Sequence, residues 1–484
     1  MSFETPVQVG TSRADDNVLM GPGSASALVI GSIVGVGVFS MPYSLAAFGP
    51  ISLVAMATTS VGAVALGLTF ASLSRRMPAE GGPYAYARAA FGNACGFANA
   101  WAYWIAAWAG NAAIAVGWVF YVERFVNQGG STWASIAIAL SGLWITAAIN
   151  LSGVRNLSAF QVVTTVVKFV PLALMATVGL FFVDLDNFTP WNISGQTSMS
   201  AVGGAAAIAL FSYLGVEAAA VAAAKVRDPR RNVPRATVVG TLLSTVAYVL
   251  SLVAVFGIMP AAALAQDENK ASFASVATEV SGAAWAGDLV ALMVVVSGIG
   301  AMNGWTMLCA EVPLAAARNG LFPRWFATES RRGMPWVGIV ASGALASVAV
   351  LLSYTGTQGA TVFTTLVLMT GIAAAVPYAF SALAQIVWRI QDGHATSAAR
   401  LVWDLAAAVV ALVLSLAFIY YSRNTGQTWY VVWGPYLMTA GAAALGVPVY
   451  LAQRGRMSAP VPLPTSSGRP PARAGRGPRR PGSR

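Results

Sequence analysis

Uncharged apolar runs as long as a bilayer is thick constrain this chain more than any motif in it. Residues 51–73, 94–122 and 289–310 contain no Asp, Glu, Lys or Arg. A helix needs about 20 apolar residues to cross hydrocarbon, and backbone groups in lipid must be satisfied inside a helix or closed barrel. Only 9% of the residues are charged and 57% are hydrophobic, against about 25% charged in a soluble domain. The expected fold is an all-α polytopic membrane protein. Apolar runs between charge clusters predict twelve spans near 25–47, 51–73, 96–122, 132–152, 159–183, 201–224, 236–259, 284–316, 335–354, 361–390, 402–421 and 432–452. The uncharged run 333–388 is too long for one crossing, and Ser353-Tyr-Thr-Gly-Thr-Gln-Gly359 divides it.

The rare residue types exclude several functions. One histidine, His394, and two cysteines, Cys95 and Cys309, make no ligand set for zinc, haem or an iron–sulfur cluster. Neither a metal nor a cofactor is expected. The cysteines read as small apolar packing residues. No G-x-x-x-x-G-K-[ST] loop is present, which argues against a pump driven by its own ATP hydrolysis. No cleavable signal is expected at the polar N-terminus.

Basic residues set the expected topology. Alternate loops hold Arg75, Arg76 and Arg88; Arg155; Lys225, Arg227, Arg230, Arg231 and Arg235; Arg318, Arg324, Arg331 and Arg332; then Arg389 and Arg400. The opposite loops hold Arg124, Lys270 and Arg423 beside Asp184, Asp186, Asp267 and Glu268. The positive-inside rule puts the first set, and both termini, in the cytoplasm of a multi-pass cell-membrane protein. The net charge of +11 is then mainly topology, and no nucleic-acid partner is expected. Residues 453–484 form a Pro/Gly/Arg tail whose composition cannot bury a core.

Two spans carry features that a plain lipid-facing helix avoids. The first reads Gly31-Ser-Ile-Val-Gly35-Val36-Gly37-Val-Phe-Ser-Met-Pro42, and the sixth Leu210-Phe211-Ser212-Tyr213-Leu214-Gly215-Val216-Glu217. Glycine costs a helix about 1 kcal/mol relative to alanine, and a mid-membrane carboxyl costs at least about 2.5 kcal/mol without a partner. Each could be helix packing alone. Together they stand at matching places in two five-helix halves, the mark of an inverted-repeat transporter with substrate at the breaks. Freed N–H groups suit a carboxylate and freed carbonyls an ammonium, so an α-amino acid head group fits both.

Several stretches resemble the amino acid–polyamine–organocation transporters. They are the first-span glycine motif, Gly81-Gly-Pro-Tyr84-Ala-Tyr-Ala-Arg88, Tyr103-Trp-Ile-Ala-Ala-Trp-Ala-Gly-Asn111, Phe211-Ser-Tyr-Leu-Gly-Val-Glu217, Lys225-Val-Arg-Asp-Pro-Arg-Arg-Asn-Val-Pro234, Asn303-Gly-Trp305-Thr and Asn319-Gly-Leu-Phe-Pro323. Within that family they are most similar to the basic amino acid/polyamine antiporter branch, which includes the bacterial arginine/agmatine antiporter. The resemblance implies a LeuT-like fold: five-helix repeats at 25–183 and 201–390, broken helices one and six, two extra helices at 402–452, and cytoplasmic segments at 1–24 and 453–484.

It also implies a substrate site of Ile33, Gly35, Val36 and Gly37 in the first break, with Phe211, Ser212 and Leu214 in the sixth. Ala106, Asn111, Trp305 and Thr370 complete that site. Phe211 and Trp305 would face a cationic side chain, each supplying about 0.5–2 kcal/mol. Tyr103 would belong to a gate below the site, and Tyr84 to the cytoplasmic entrance. Three departures matter. Val36 stands where the branch has a serine hydroxyl, Phe211 replaces a larger tryptophan, and Lys168 occupies a place that is small in the arginine/agmatine antiporter. A lysine stands at the similar place in proton-coupled members of the superfamily.

Lys168 has no acid at i±3 or i±4. It either snorkels to an interface or, with Glu217, takes part in proton coupling. The function expected is secondary active exchange of an amino acid, cationic by resemblance, for a related amino acid or its amine. Proton-coupled amino acid symport and a non-transporting amino acid sensor are the alternatives. An enzyme is not expected, since no nucleophile–base pair lies near the breaks. The partners expected are the small-molecule substrate, membrane lipid and, left open, protons and a second copy of the chain.

Overall fold

Where no water can satisfy a peptide group, the chain must coil, and the described residues do so almost throughout. A computed structural model describes residues 20–78, 81–223, 226–354, 359–392, 397–424 and 428–457. The N-terminal segment before residue 20, Lys225, His394 and the basic tail from residue 458 lie outside the described residues. In chain order the helices are α1 (Pro22–Ile33), α2 (Val36–Ala46), α3 (Ser52–Arg76), α4 (Pro83–Phe91), α5 (Asn93–Val122), α6 (Thr132–Leu151), α7 (Val154–Thr177), α8 (Ser198–Ala209) and α9 (Ala218–Val221). They continue with α10 (Pro229–Ile258), α11 (Ala261–Leu264), α12 (Ser272–Ser281), α13 (Ala284–Arg318), α14 (Trp336–Tyr354), α15 (Gly359–Asp392), α16 (Ala398–Tyr421), α17 (Trp429–Ala444) and α18 (Gly446–Gln453).

Ten helical segments among the described residues are long and apolar enough to cross a membrane, with α1–α2 and α17–α18 each taken as one. Two shorter apolar segments, Val166–Phe182 and Ser198–Tyr213, stand where the sequence predicts the fifth and sixth spans. Burial sorts centre from rim. In α5, 94% of the apolar window is buried, against 22% for α16 and 11% for the segment 429–453. Thus α5 is the axis of the bundle, packed between α13 and α15, while the last helices lie outside.

The helix ends are tied by charge. Arg124 pairs with Asp288 at 2.6 Å and Lys270 with Glu123 at 2.6 Å, pinning the α10–α13 connection to the end of α5. Asp404 pairs with Arg389 at 2.5 Å. Asp288 and Asp404, each near a helix end, thus hold an arginine from another element.

Candidate functional site

Helix one stops at Ile33 and restarts at Val36. Between them Val34 (ψ 91°) and Gly35 (φ −117°, ψ −165°) are extended. The break therefore holds only the first glycine of the pair: Val36 and Gly37 already belong to α2. Helix six stops at Ala209, tightens to a 3₁₀ turn over Leu210–Tyr213, and extends at Leu214 (ψ 138°). It then turns at Gly215, φ +100°, before α9.

Glycine lets the two breaks touch. A Cβ on Gly215 would fall 2.7 Å from Ser32 Cβ and 2.8 Å from the Ser32 carbonyl carbon. One on Gly37 would fall 2.9 Å from the Phe211 ring. Phe211 is held from its other side by Phe363, edge-on at 6.2 Å.

The end of α1 leaves carbonyls without intrahelical donors, and three successive ones are met by side chains from three helices. Lys168 Nζ of α7 donates to Gly31 O at 2.9 Å, Trp305 Nε1 of α13 to Ser32 O at 3.3 Å, and the Tyr248 hydroxyl of α10 to Ile33 O at 2.8 Å. Tyr248 is in turn stacked edge-on against Tyr213 of the sixth-helix turn at 5.4 Å, and Tyr213 OH bonds Ser60 Oγ at 2.6 Å. A carbonyl has two lone pairs, so an ammonium entering here adds to these donors instead of displacing them. The N-terminal N–H groups of α2 have no acceptor in their own helix, and Gly35 supplies no side-chain cap. Such amides suit an anion.

The remaining substrate candidates gather around α5. A Cβ on Gly110 would meet Thr370 Cγ2 at 3.1 Å and the Trp305 ring at 3.4 Å, so Trp305 and Thr370 close on α5 at this glycine. The next residue, Asn111, donates Nδ2 to Thr306 Oγ1 at 3.1 Å. Its Oδ1 is buried with no donor among the described residues, as is Ser32 Oγ. Thr370 Oγ1 donates to Leu366 O at 2.7 Å and keeps its acceptor lone pairs. Ser212 Oγ turns to Met41 Sδ of α2 at 3.3 Å. Ala106 is buried one helical turn before Gly110. The result is two aromatic faces and uncharged acceptors, with no carboxylate in the set.

Glu217 and Tyr103 meet. Tyr103 OH donates to Glu217 Oε1 at 2.6 Å, and Tyr378 OH of α15 to Oε2 at 2.7 Å, all three buried. The network joins α5, the sixth-helix break and α15. Tyr84 lies apart from it on α4, where its hydroxyl accepts from Asn319 Nδ2 at the end of α13 at 2.8 Å. Tyr248 and Tyr378 were not legible in sequence. A tyrosine in an apolar run reads as packing until its hydroxyl is seen against a carbonyl or carboxylate.

Residues 21–442 match the family profile described as amino acid permease. The chain is 30% identical over 419 residues to the arginine/ornithine antiporter of Pseudomonas aeruginosa, spanning 82% of this chain and 85% of that protein. It is 27% identical over 363 residues to the cadaverine/lysine antiporter of Escherichia coli, spanning 74% of this chain and 81% of that protein. Among solved structures, a manganese transporter of Eremococcus coleocola matches with a TM-score of 0.59 over 93% of this chain and 97% of that one, at 14% identity. At that identity the likeness is one of fold.

Proposed function

Since the chain belongs to the amino acid permease family, we propose that it carries a basic amino acid across the cell membrane in exchange for a related amino acid or its amine. The observation that carries this is the buried Asn111 Oδ1, which has no donor among the described residues and follows Gly110, where Trp305 and Thr370 close on α5. An uncharged acceptor one residue from the glycine on which an aromatic ring closes suits a cationic side chain, and both relatives described above are named for exchange of basic amino acids or a diamine. The head group would lie on α2's N-terminal amides and the carbonyls of α1. In this reading the chain crosses the membrane twelve times, with α1–α7 and α8–α15 as inverted halves and both termini cytoplasmic.

Counterflow in proteoliposomes tests it. Labelled arginine, ornithine or lysine should enter vesicles loaded with one of these, or with a diamine, and should not enter empty ones. Equal uptake into empty and loaded vesicles would sink the exchange reading.

One observation favours proton-coupled symport as a second reading: Lys168 is fully buried, at the carbonyl end of the first break. Symport predicts accumulation in empty vesicles under an imposed pH gradient, and loss of that accumulation in Lys168→Ala. Exchange predicts no such accumulation. It expects Lys168→Ala to slow counterflow about tenfold, because Gly31 loses a charge-assisted hydrogen bond worth about 1.5–3 kcal/mol.

A further inference from the structure

Four arginines converge at one end of the bundle from three helices. Arg75 and Arg76 close α3, Arg389 lies in the last turns of α15, and Arg400 is in the first turn of α16. Among the described side chains Asp404 is the carboxylate that stands with them, engaged by Arg389 at 2.5 Å, which also donates to Ser72 Oγ at 3.0 Å. Arg76 lies over the Trp388 ring, 5.1 Å from its centroid. Arg75 donates Nε to Ala71 O at 3.2 Å and lies within electrostatic reach of Arg389, Arg400 and Asp404. Among the described residues neither Arg75 nor Arg400 has a carboxylate at salt-bridge distance, and both are exposed.

Guanidinium groups gathered this closely repel one another, and Arg75 and Arg400, which have no carboxylate partner among the described residues, are the two with room for an added anion. What lies beside them says which anion. Val402 is 65% and Trp403 75% exposed on the first turns of α16, a membrane-length helix whose apolar window is only 22% buried within the protein. A tryptophan at this level marks the membrane interface. A free anion makes no use of an exposed apolar face next to its site; a lipid does.

We propose that Arg75 and Arg400, backed by Arg76 and Arg389, bind the phosphate of an anionic membrane phospholipid whose acyl chains lie over Val402 and Trp403. Guanidinium forks match phosphate oxygens in pairs, and basic clefts between membrane helices hold such headgroups on the cytoplasmic side. Arg389 shares α15 with Thr370 and Tyr378, so a headgroup here braces a helix that also reaches the candidate site. The inference does not depend on which substrate is carried.

The test uses the purified full-length chain in detergent, with native mass spectrometry and thermal unfolding against added phosphatidylglycerol, phosphatidylethanolamine or inorganic phosphate. Phosphatidylglycerol should be retained and should raise the unfolding temperature, and the other two should not. Arg75→Gln with Arg400→Gln should weaken phosphatidylglycerol binding about thirtyfold, the loss expected for two interfacial cations. Arg331→Gln with Arg332→Gln removes as much charge from an exposed loop and should change nothing. Should the double variant not fold, Arg400→Gln alone should weaken binding about fivefold. Unchanged binding in the site variants, an equal loss in the loop variant, or the same stabilisation by inorganic phosphate would each overturn the proposal.

Discussion

Gly215→Ala should slow exchange about a hundredfold and lower the unfolding temperature of the purified protein. Two independent costs act at this position. At φ +100° an L side chain is strained, and such backbone conformations cost about 1–3 kcal/mol. The added methyl would also lie 2.8 Å from the Ser32 carbonyl carbon. Backbone cannot step aside as a flexible side chain can, so the two breaks must separate. That displaces Ser32 O from Trp305 and loosens the carbonyls now held by Lys168 and Tyr248. A combined penalty near 3 kcal/mol corresponds to about a hundredfold loss in rate. Counterflow and thermal unfolding read the two effects separately. Gly35→Ala serves as the comparison. Gly35 has an ordinary φ of −117°, and a Cβ there would meet only Ala301 Cβ, at 3.4 Å, so it should cost far less. Wild-type stability and exchange in Gly215→Ala would mean that contact between the breaks is incidental.

What sequence disclosed about this molecule follows from where its chemistry is written. Long uncharged runs announce membrane helices because the bilayer leaves few other structures open. Gly35, Gly215 and Glu217 stood out because an apolar helix has no local use for them. Of the first-span glycine pair only Gly35 lies in the break, because Gly37 is required for a different reason: it gives room to the Phe211 ring, not freedom to its own backbone. Lys168 was recognised but its partner was not. No acid lies within a helical turn of it, and its acceptor is a backbone carbonyl 137 positions away. Tyr248 and Tyr378 left no trace, since only packing brings a phenol to a broken helix. A local pattern reports a residue that is out of place. It does not report an ordinary residue whose partner lies on another helix.

Glu217→Ala should be the most damaging side-chain truncation, and Glu217→Gln should recover most of the loss. The carboxylate accepts from Tyr103 at 2.6 Å and Tyr378 at 2.7 Å in a fully buried setting. Hydrogen bonds to a charged acceptor contribute about 1.5–3 kcal/mol each, and a buried donor left without an acceptor keeps its desolvation penalty. Alanine imposes that on two phenols at once and opens a void between α5, the sixth-helix turn and α15. Glutamine keeps the volume and one carbonyl oxygen. Its amide faces the second hydroxyl, which can rotate to accept instead of donate. Exchange should therefore fall by about thirtyfold or more in the alanine variant and by less than about tenfold in the glutamine variant. Efflux separates a closing role from a merely structural one. If this network shuts one side of the site, vesicles containing Glu217→Ala will leak preloaded amino acid without any counter-substrate, while Glu217→Gln vesicles will not. Loss of exchange without leak in both variants would make the carboxylate a brace for the broken helix and leave closure to other groups.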